Sequence, residues 1–195
     1  LDLACGTGAN LRATALHLGG TQHWRLVDHD RHVLDAASEA LTRWALAHGL
    51  RATRADGRLS VDGPGLRLQA HFVQADLARA WDGAWFDGVH LVTASALLDL
   101  VSAAWLERLA TQCRQAGAAV SWALSVDHRW HWAPADEDDG LLAQAFAEHQ
   151  GRDKGFGPAL GGAALAQAAA LFGRAGYRCT AARSDWCIDG ARGAR

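Results

Sequence analysis

The chain opens on a short apolar run that leads into a glycine-rich loop, LDLACGTGAN. Leu1–Cys5 has the pattern of the end of a buried strand, and apolar residues at helical spacing begin after the loop. Glycines at positions 6 and 8 permit a tight turn whose backbone can approach a ligand with no Cβ in the way. The helix that follows would point its first amide groups at the same place. The opening residues therefore predict a strand, a ligand-binding loop and a helix.

Strand-like and helix-like patterns then alternate along almost the whole chain. The predicted helices are Asn10–Leu18, Arg31–His48, Ser102–Ala116, Leu141–Gln150 and Ala163–Ala175. After the opening run, the predicted strands are Trp24–Asp28, Ala70–Asp76, Phe86–Ala94, Ala118–Asp127 and Tyr177–Trp186. The polar stretch Arg51–Gly65 is interpreted as a hairpin or an irregular excursion. This alternation predicts an α/β fold with a doubly wound, mostly parallel sheet, formed by one domain spanning residues 1–195.

The composition and the net charge indicate which cellular compartment and which kinds of binding partner to expect for this chain. Of the 195 residues, 50% are apolar and 21% are charged, which is typical of a globular domain, and the net charge of −2 gives no basic field to attract nucleic acid or a membrane surface. The four cysteines form no C-x-x-C pair, which favours a reducing cytoplasm. No run of about 18 apolar residues predicts a membrane span. The chain contains no methionine, so we expect its natural start to lie upstream.

Two of the predicted strands end in an aspartate, at the edge of the sheet where a ligand would bind. In open α/β sheets, ligands bind at the carboxyl ends of the strands. Asp28 ends the second strand, 22 residues after Gly6, where its carboxylate could accept two hydrogen bonds from a ribose diol. Asp76 ends a later strand, where it could accept a bond from an exocyclic amine. Each has a plainer alternative: Asp28 as a helix N-cap and Asp76 as the cap of the short helix after it. Asp30 competes with Asp28 for both roles, as ribose ligand and as N-cap.

The spacing of the glycines distinguishes between two classes of cofactor-binding loop. A dinucleotide fold requires G-x-G-x-x-G, but Leu11 stands where the third glycine would be. The frame D-x-x-x-G-x-G, which begins at Asp2, instead resembles motif I of the class I S-adenosylmethionine-dependent methyltransferases. That family's usual form is close to LDLGCGTG, and this chain has Ala4 where glycine is commonest.

The resemblance continues through residues 1–116. WRLVDHD is similar to the family's second strand, HFVQADL to its third, and FDGVHLVTASALLDLV to its fourth strand and the loop after it. The resemblance implies a Rossmann-like methyltransferase fold, S-adenosyl-L-methionine as cofactor and a small-molecule substrate. The cofactor-binding residues it implies are Asp2, Ala4, Gly6, Gly8, Asp28, His29, Asp76, Leu77 and Ser95.

For methyl transfer from a sulfonium, the protein mainly has to orient the cofactor and the acceptor, because the cofactor already carries its leaving group. A general base is needed only for a protonated nucleophile. Asp99, in the loop after the fourth strand, is the candidate base or the partner of a substrate cation; the alternative is a helix N-cap or a solvated acid. No triad or metal motif is present, and the H-x-x-H spacing of His128 and His131 is too weak to predict a metal site.

Two later loops are candidates for substrate binding. Trp130, which alternates with histidines, could wall a pocket for a flat or apolar substrate or could pack at the edge of the core. Arg152 and Lys154 could bind an anionic substrate group, or could be solvated cations at a helix end.

Two departures from the family pattern concern the ends of the chain. Helices before motif I are absent, and too little chain follows Trp186 for a full seventh strand. We therefore expect either a fragment truncated at both ends or an unusually open site. Three functions stay open: a small-molecule methyltransferase, a non-catalytic cofactor-binding member that acts through a partner, and an NAD-type oxidoreductase.

Overall fold

The computed structural model describes residues 1–79, 81–123, 126–127 and 129–188. Within them the helices are α1 (Ala9–Leu18), α2 (Arg31–Ala47), α3 (Ala103–Ala116), α4 (Asp139–Gln150) and α5 (Ala164–Arg174). The strands are β1 (Asp2–Leu3), β2 (Gly20–Asp28), β3 (Arg51–Ala55), β4 (Arg58–Gly63), β5 (Leu66–Gln74), β6 (Leu91–Ser95) and β7 (Ala119–Ala123). Short 3₁₀ turns occupy Gly83–Phe86 and Gly161–Ala163.

These strands form one sheet in the order β3-β4-β5-β2-β1-β6-β7. The strands β5, β2, β1, β6 and β7 run parallel, while β3 and β4 join them as an antiparallel hairpin. From β1 and β2 the chain continues to β3 at one edge of the sheet, comes back through β4 to β5, and then crosses to β6 on the other side of β1. This reversal leaves a crevice at the carboxyl ends of β1 and β6, where open α/β sheets bind their ligands. The predicted α/β fold with a mostly parallel sheet is confirmed.

Two apolar cores cover the two faces of the sheet. One contains residues of α1 and α2, and the other contains residues of α3 and α5. Leu26 belongs to the first core and Val27 to the second, because successive side chains of a strand point to opposite faces. No helix of the described residues is long and apolar enough to cross a membrane.

Residues 51–65, for which the sequence allows a hairpin or an irregular excursion, form the hairpin β3-β4. An Asp56-Gly57 pair joins its strands, and both residues have positive φ. The predicted strand Phe86–Ala94 is too long, because β6 begins only at Leu91. The 3₁₀ turn before it buries Trp85 and Phe86 and stacks Phe86 on Trp81, so these apolar residues pack without joining the sheet.

The predicted strand Tyr177–Trp186 is wrong: residues 177–186 form no strand. The Tyr177 N–H donates to the carbonyl of Phe172 (3.0 Å), and its hydroxyl donates to the carbonyl of Ala118 (2.8 Å). Through these two bonds, Tyr177 packs against the end of α5. Residues 178–186 are exposed, so their alternating pattern has no face of the sheet to bury.

Helix α2 supplies a matched test of core packing. Leu41 is fully buried against the first core, whereas Leu46 on the same helix is 62% exposed. We expect Leu41→Ala to lower the free energy of unfolding by about 2–5 kcal/mol, because it removes buried methyl groups and leaves a cavity. Leu46→Ala should change it by less than about 0.5 kcal/mol. Urea unfolding of both variants measures the difference, and equal losses would contradict the packing of α2.

Candidate ligand site at the carboxyl edge

The loop between β1 and α1 depends on left-handed backbone conformations. Ala4, Gly6 and Gly8 have φ values of +50°, +53° and +74°. At Gly8 a Cβ would lie within ordinary contact distance of Leu41, whereas at Gly6 it would meet nothing within 4 Å. The missing Cβ of Gly6 therefore leaves open space directly against the loop backbone, as the approach of a ligand requires.

Helix α1 begins beside this space without a cap. Its N-cap residue is Gly8, no side chain caps it, and its first turn contains no acidic residue. The loop itself is fixed by backbone bonds from the Gly8 N–H to the carbonyl of Cys5 (2.9 Å) and from the Cys5 N–H to the carbonyl of Val27 (3.0 Å). The amide groups of the first turn and the positive end of the helix dipole thus favour a negative group at this place.

Asp2 lies beneath the loop and is completely buried. Its Oδ1 accepts bonds from Thr93 Oγ1 (2.8 Å) and Asn10 Nδ2 (3.1 Å), which connect β1 to β6 and α1. Its Oδ2 is buried and has no hydrogen-bond partner among the described residues. Burial raises the pKa of Asp2, and the two hydrogen bonds oppose that shift. Direct contact of Asp2 with a cofactor stays a prediction.

Asn10 and Thr93 are the site residues that sequence reasoning missed. Asn10 is the first residue of a predicted helix, and Thr93 is one polar letter in the apolar run FDGVHLVTA. The available signal is a polar residue within a mainly apolar strand, but it does not reveal a partner 91 residues away.

Asp28 joins the end of β2 to the glycine loop. Its Oδ2 accepts a bond from the Gly6 N–H (2.9 Å), and its Oδ1 accepts one from the Asp30 N–H (3.2 Å). His29 Nδ1 lies 3.2 Å from the same Oδ1. The N-cap of α2 is Asp30, whose side chain accepts from the His32 N–H (2.8 Å), so the N-cap interpretation of Asp28 is excluded. A carboxylate offers about four acceptor positions, so Asp28 retains the capacity to accept from a ligand.

Asp76 and Leu77 follow β5. Asp76 is exposed, and its Oδ1 accepts from the Ala78 N–H (2.9 Å), as its capping alternative describes. Leu77 is buried, and its carbonyl accepts from Trp105 Nε1 (2.9 Å). Gln74 Nε2 donates to the carbonyl of His29 (3.2 Å) and ties the ends of β5 and β2 together. Contact of Asp76 or Leu77 with a cofactor remains a prediction.

The loop after β6 contains Ser95 and Asp99. Ser95 is half-buried at the end of the strand, next to Ala96, which has a φ of +54°. Asp99 is buried; its Oδ2 accepts from Gln150 Nε2 (3.0 Å) and its carbonyl accepts from the Gly161 N–H (2.9 Å). Both plainer alternatives for Asp99 are wrong, because it is not solvated and the N-cap of α3 is Ser102. Its catalytic role is still a prediction.

The segment after α4 is ordered by its own polar groups. Asp153 Oδ1 accepts from the N–H groups of Gly155 (2.7 Å) and Gly157 (2.9 Å). Lys154 Nζ donates to the carbonyl of His149 (2.8 Å) at the end of α4, as the helix-end alternative describes. Arg152 is exposed at the same end. Binding of an anionic substrate group by these two cations remains a prediction.

Trp130 and Trp132 form an exposed aromatic pair. Their rings are nearly parallel at 6.0 Å, and the Trp130 ring also meets Phe146 of α4 edge-on at 4.9 Å. The two tryptophans are 42% and 44% exposed, so they do not pack inside the core. His128 lies outside the described residues, and the part of the chain that is described holds no group of three metal-ligating side chains.

Comparison with solved structures supports the fold. An O-methyltransferase family protein from Burkholderia thailandensis matches with a TM-score of 0.51 and 18% identity, over 90% of this chain and 44% of that protein. This chain thus spans less than half the length of that neighbour. A large terminase of a thermophilic bacteriophage matches at a TM-score of 0.39 and 12% identity, over 72% of this chain and 37% of the terminase, and supports no inference. No protein-family model and no curated protein matches the sequence.

Ala4 provides a test of the loop geometry. At a φ of +50° its Cβ is strained, so Ala4→Gly should raise the free energy of unfolding by about 0.5–1 kcal/mol despite the greater freedom of glycine in the unfolded chain. Ala145→Gly, at an exposed position in the middle of α4, is the control and should lower it by about 0.5–1 kcal/mol. Denaturant unfolding distinguishes the two signs; a loss of stability in both variants would contradict the left-handed loop.

Proposed function

We propose that the chain binds S-adenosyl-L-methionine at the glycine loop and transfers its methyl group to a small-molecule acceptor. The observation that carries the proposal is the pairing of the loop with Asp28, with open space against Gly6 and an uncapped helix beside it. The motif LDLACGTG and the fold shared with an O-methyltransferase family protein both support it.

The residues at the carboxyl edge fit the parts of this cofactor. The uncapped start of α1 suits its carboxylate, and the unpartnered Oδ2 of Asp2 is a buried acceptor suited to an ammonium group. Asp28, beside His29, suits the ribose hydroxyls. Asp76 and Leu77 are assigned to the adenine, and Ser95 to the amino-acid end.

The bound cofactor supplies a methyl group on a sulfonium, with a neutral thioether as leaving group. The chain contributes orientation: the left-handed loop and the Asp28 bridge would hold the cofactor, and the loop after β6 would position the acceptor. Asp99 would hold the acceptor's proton or pair with its positive charge, because its buried carboxyl is held in place by Gln150. Trp130, Arg152 and Lys154 are the residues proposed to contact the acceptor.

Packing around the loop favours this cofactor over a dinucleotide. Leu11 stands at the position of the third glycine of a dinucleotide loop and is fully buried in the first core. A dinucleotide fold uses that glycine for close approach of helix and strand. The Leu11 side chain fills that space here, and the buried Asp2, which a dinucleotide fold does not need, links the loop to α1 and β6.

Titration calorimetry tests the cofactor assignment. The chain should bind S-adenosylmethionine but not NAD, and Asp28→Ala should weaken binding by about 1–3 kcal/mol, the usual cost of losing a buried acceptor. Asp30→Ala is the matched control: it removes a helix N-cap and costs about 1 kcal/mol of stability, yet should leave the affinity unchanged. Binding of NAD alone, or equal losses of affinity in both variants, would refute the assignment.

A screen of acceptors separates an enzyme from a non-catalytic binder. Small hydroxyl, amine and carboxylate compounds are each incubated with the chain and S-adenosylmethionine, and formation of S-adenosylhomocysteine is followed. Turnover that Asp99→Asn reduces while cofactor affinity is unchanged supports the assigned role of Asp99. Cofactor binding without turnover of any class would favour the non-catalytic alternative.

A further inference from the structure

One face of the sheet brings three basic side chains together away from the candidate cofactor site. Arg25 of β2 is paired in register with His71 of β5, and His71 is paired with Arg58 of β4. Residues paired in this way point to the same face. Neighbouring positions on these strands, Leu26 and Ala70, are buried in the core under α1 and α2, so the three basic residues lie on the opposite face.

This row lacks the acidic partners that usually balance basic residues across neighbouring strands. Opposite charges on directly opposed residues stabilise a sheet, whereas like charges destabilise it. The same face follows the rule two pairs further on, where Arg67 of β5 is opposed by Asp62 of β4 at 3.5 Å. Arg25 donates to the carbonyl of Trp85, but within the described residues no carboxylate forms an ion pair with any member of the row.

The part of this face formed by β2, β5 and β4 is open, because α3 and α5 cover the other part. Between β5 and β6 the helical structure within the described residues is the 3₁₀ turn Gly83–Phe86, which packs against α3. What remains is a groove of about 610 Å³, a volume in the range of small-molecule sites. Its lining includes the three residues of the row with His23, His90 and Gln69, and one carboxylate, that of Asp87.

We propose that this groove binds a small molecule through a diphosphate group. Neighbouring strands lie roughly 4.8 Å apart, so Arg25 and Arg58, one on each side of His71, are separated from each other by roughly twice that distance. Their long side chains can reach both phosphates. Guanidinium groups match phosphate oxygens in geometry and charge, and a bound anion relieves the repulsion within the row. Arg25 precedes Asp28 by three residues on β2, and their side chains leave the sheet on opposite faces, so this site is separate from the candidate cofactor site.

Calorimetric titration of the chain with inorganic pyrophosphate tests the proposal. We expect saturable binding that weakens as salt is raised, and about a tenfold loss of affinity in Arg58→Ala and in His71→Ala, equivalent to one lost charge-assisted contact each. Both residues are exposed, so thermal unfolding of the variants should match the parent chain. Arg67→Ala is the control: it removes the same charge from the same face where Asp62 already balances it, and should leave the affinity unchanged.

The remaining outcomes distinguish a specific pyrophosphate site from nonspecific electrostatic attraction. Equal losses in Arg58→Ala and Arg67→Ala would overturn the proposal, because they would show a response to net charge alone. Binding of an acidic peptide or of long polyphosphate without binding of pyrophosphate would overturn it in favour of a docking surface. Unchanged pyrophosphate affinity in Asp28→Ala supports a site independent of the cofactor loop, whereas loss of it would overturn that separation.

Discussion

The hydrogen bond from the Gly6 N–H to Asp28 Oδ2 is the interaction on which the carboxyl edge depends. It joins two neighbouring parallel strands just beyond the last residues that the sheet itself pairs. The amide is free to make it only because Gly6 adopts a positive φ and turns the loop back over the end of β2. A side chain at Gly6 would be strained, and a residue at position 28 without a side-chain acceptor would lose the bridge. The same atoms that hold the loop therefore define the surface that a ligand would meet.

Polar groups beneath the loop explain why it stays in place without a capped helix. Asp2 gives one oxygen to Thr93 and Asn10 and so connects β1, β6 and α1 at one buried point. Its other oxygen has no partner in the described part of the chain, at a cost that a purely structural acid would avoid. A buried acceptor that the fold leaves unused, beside uncapped amides and open space, is the pattern expected where a ligand supplies the missing donor.

The sequence predicts well what depends on local chemistry. Alternating patterns indicate the α/β fold, and the glycines locate a loop whose backbone must be left-handed. Residue type alone could not decide between Asp28 and Asp30 as helix cap, because both are suited to it; the structure assigns the cap to Asp30 and the bridge to Asp28. Asp99 resembles a solvated loop acid in the sequence because the Gln150 that covers it lies 51 residues later. The strand predicted at Tyr177–Trp186 failed for a related reason, since a strand needs a pairing edge that no local pattern specifies.

Strand β2 contributes a residue to each of the two proposed binding sites, Asp28 to the cofactor site and Arg25 to the basic groove. Along its carboxyl half, Trp24 and Leu26 point into the core under α2, and Asp28 continues that row to the strand's end, where it meets the glycine loop. Arg25 alternates with them and lies on the uncovered part of the opposite face, where it is paired in register with His71. The alternation of a single strand thus separates an anionic group, suited to hydroxyl and ammonium donors, from a cationic one suited to phosphate. Because the two groups share a backbone but no side-chain contact, their ligands should bind without competing.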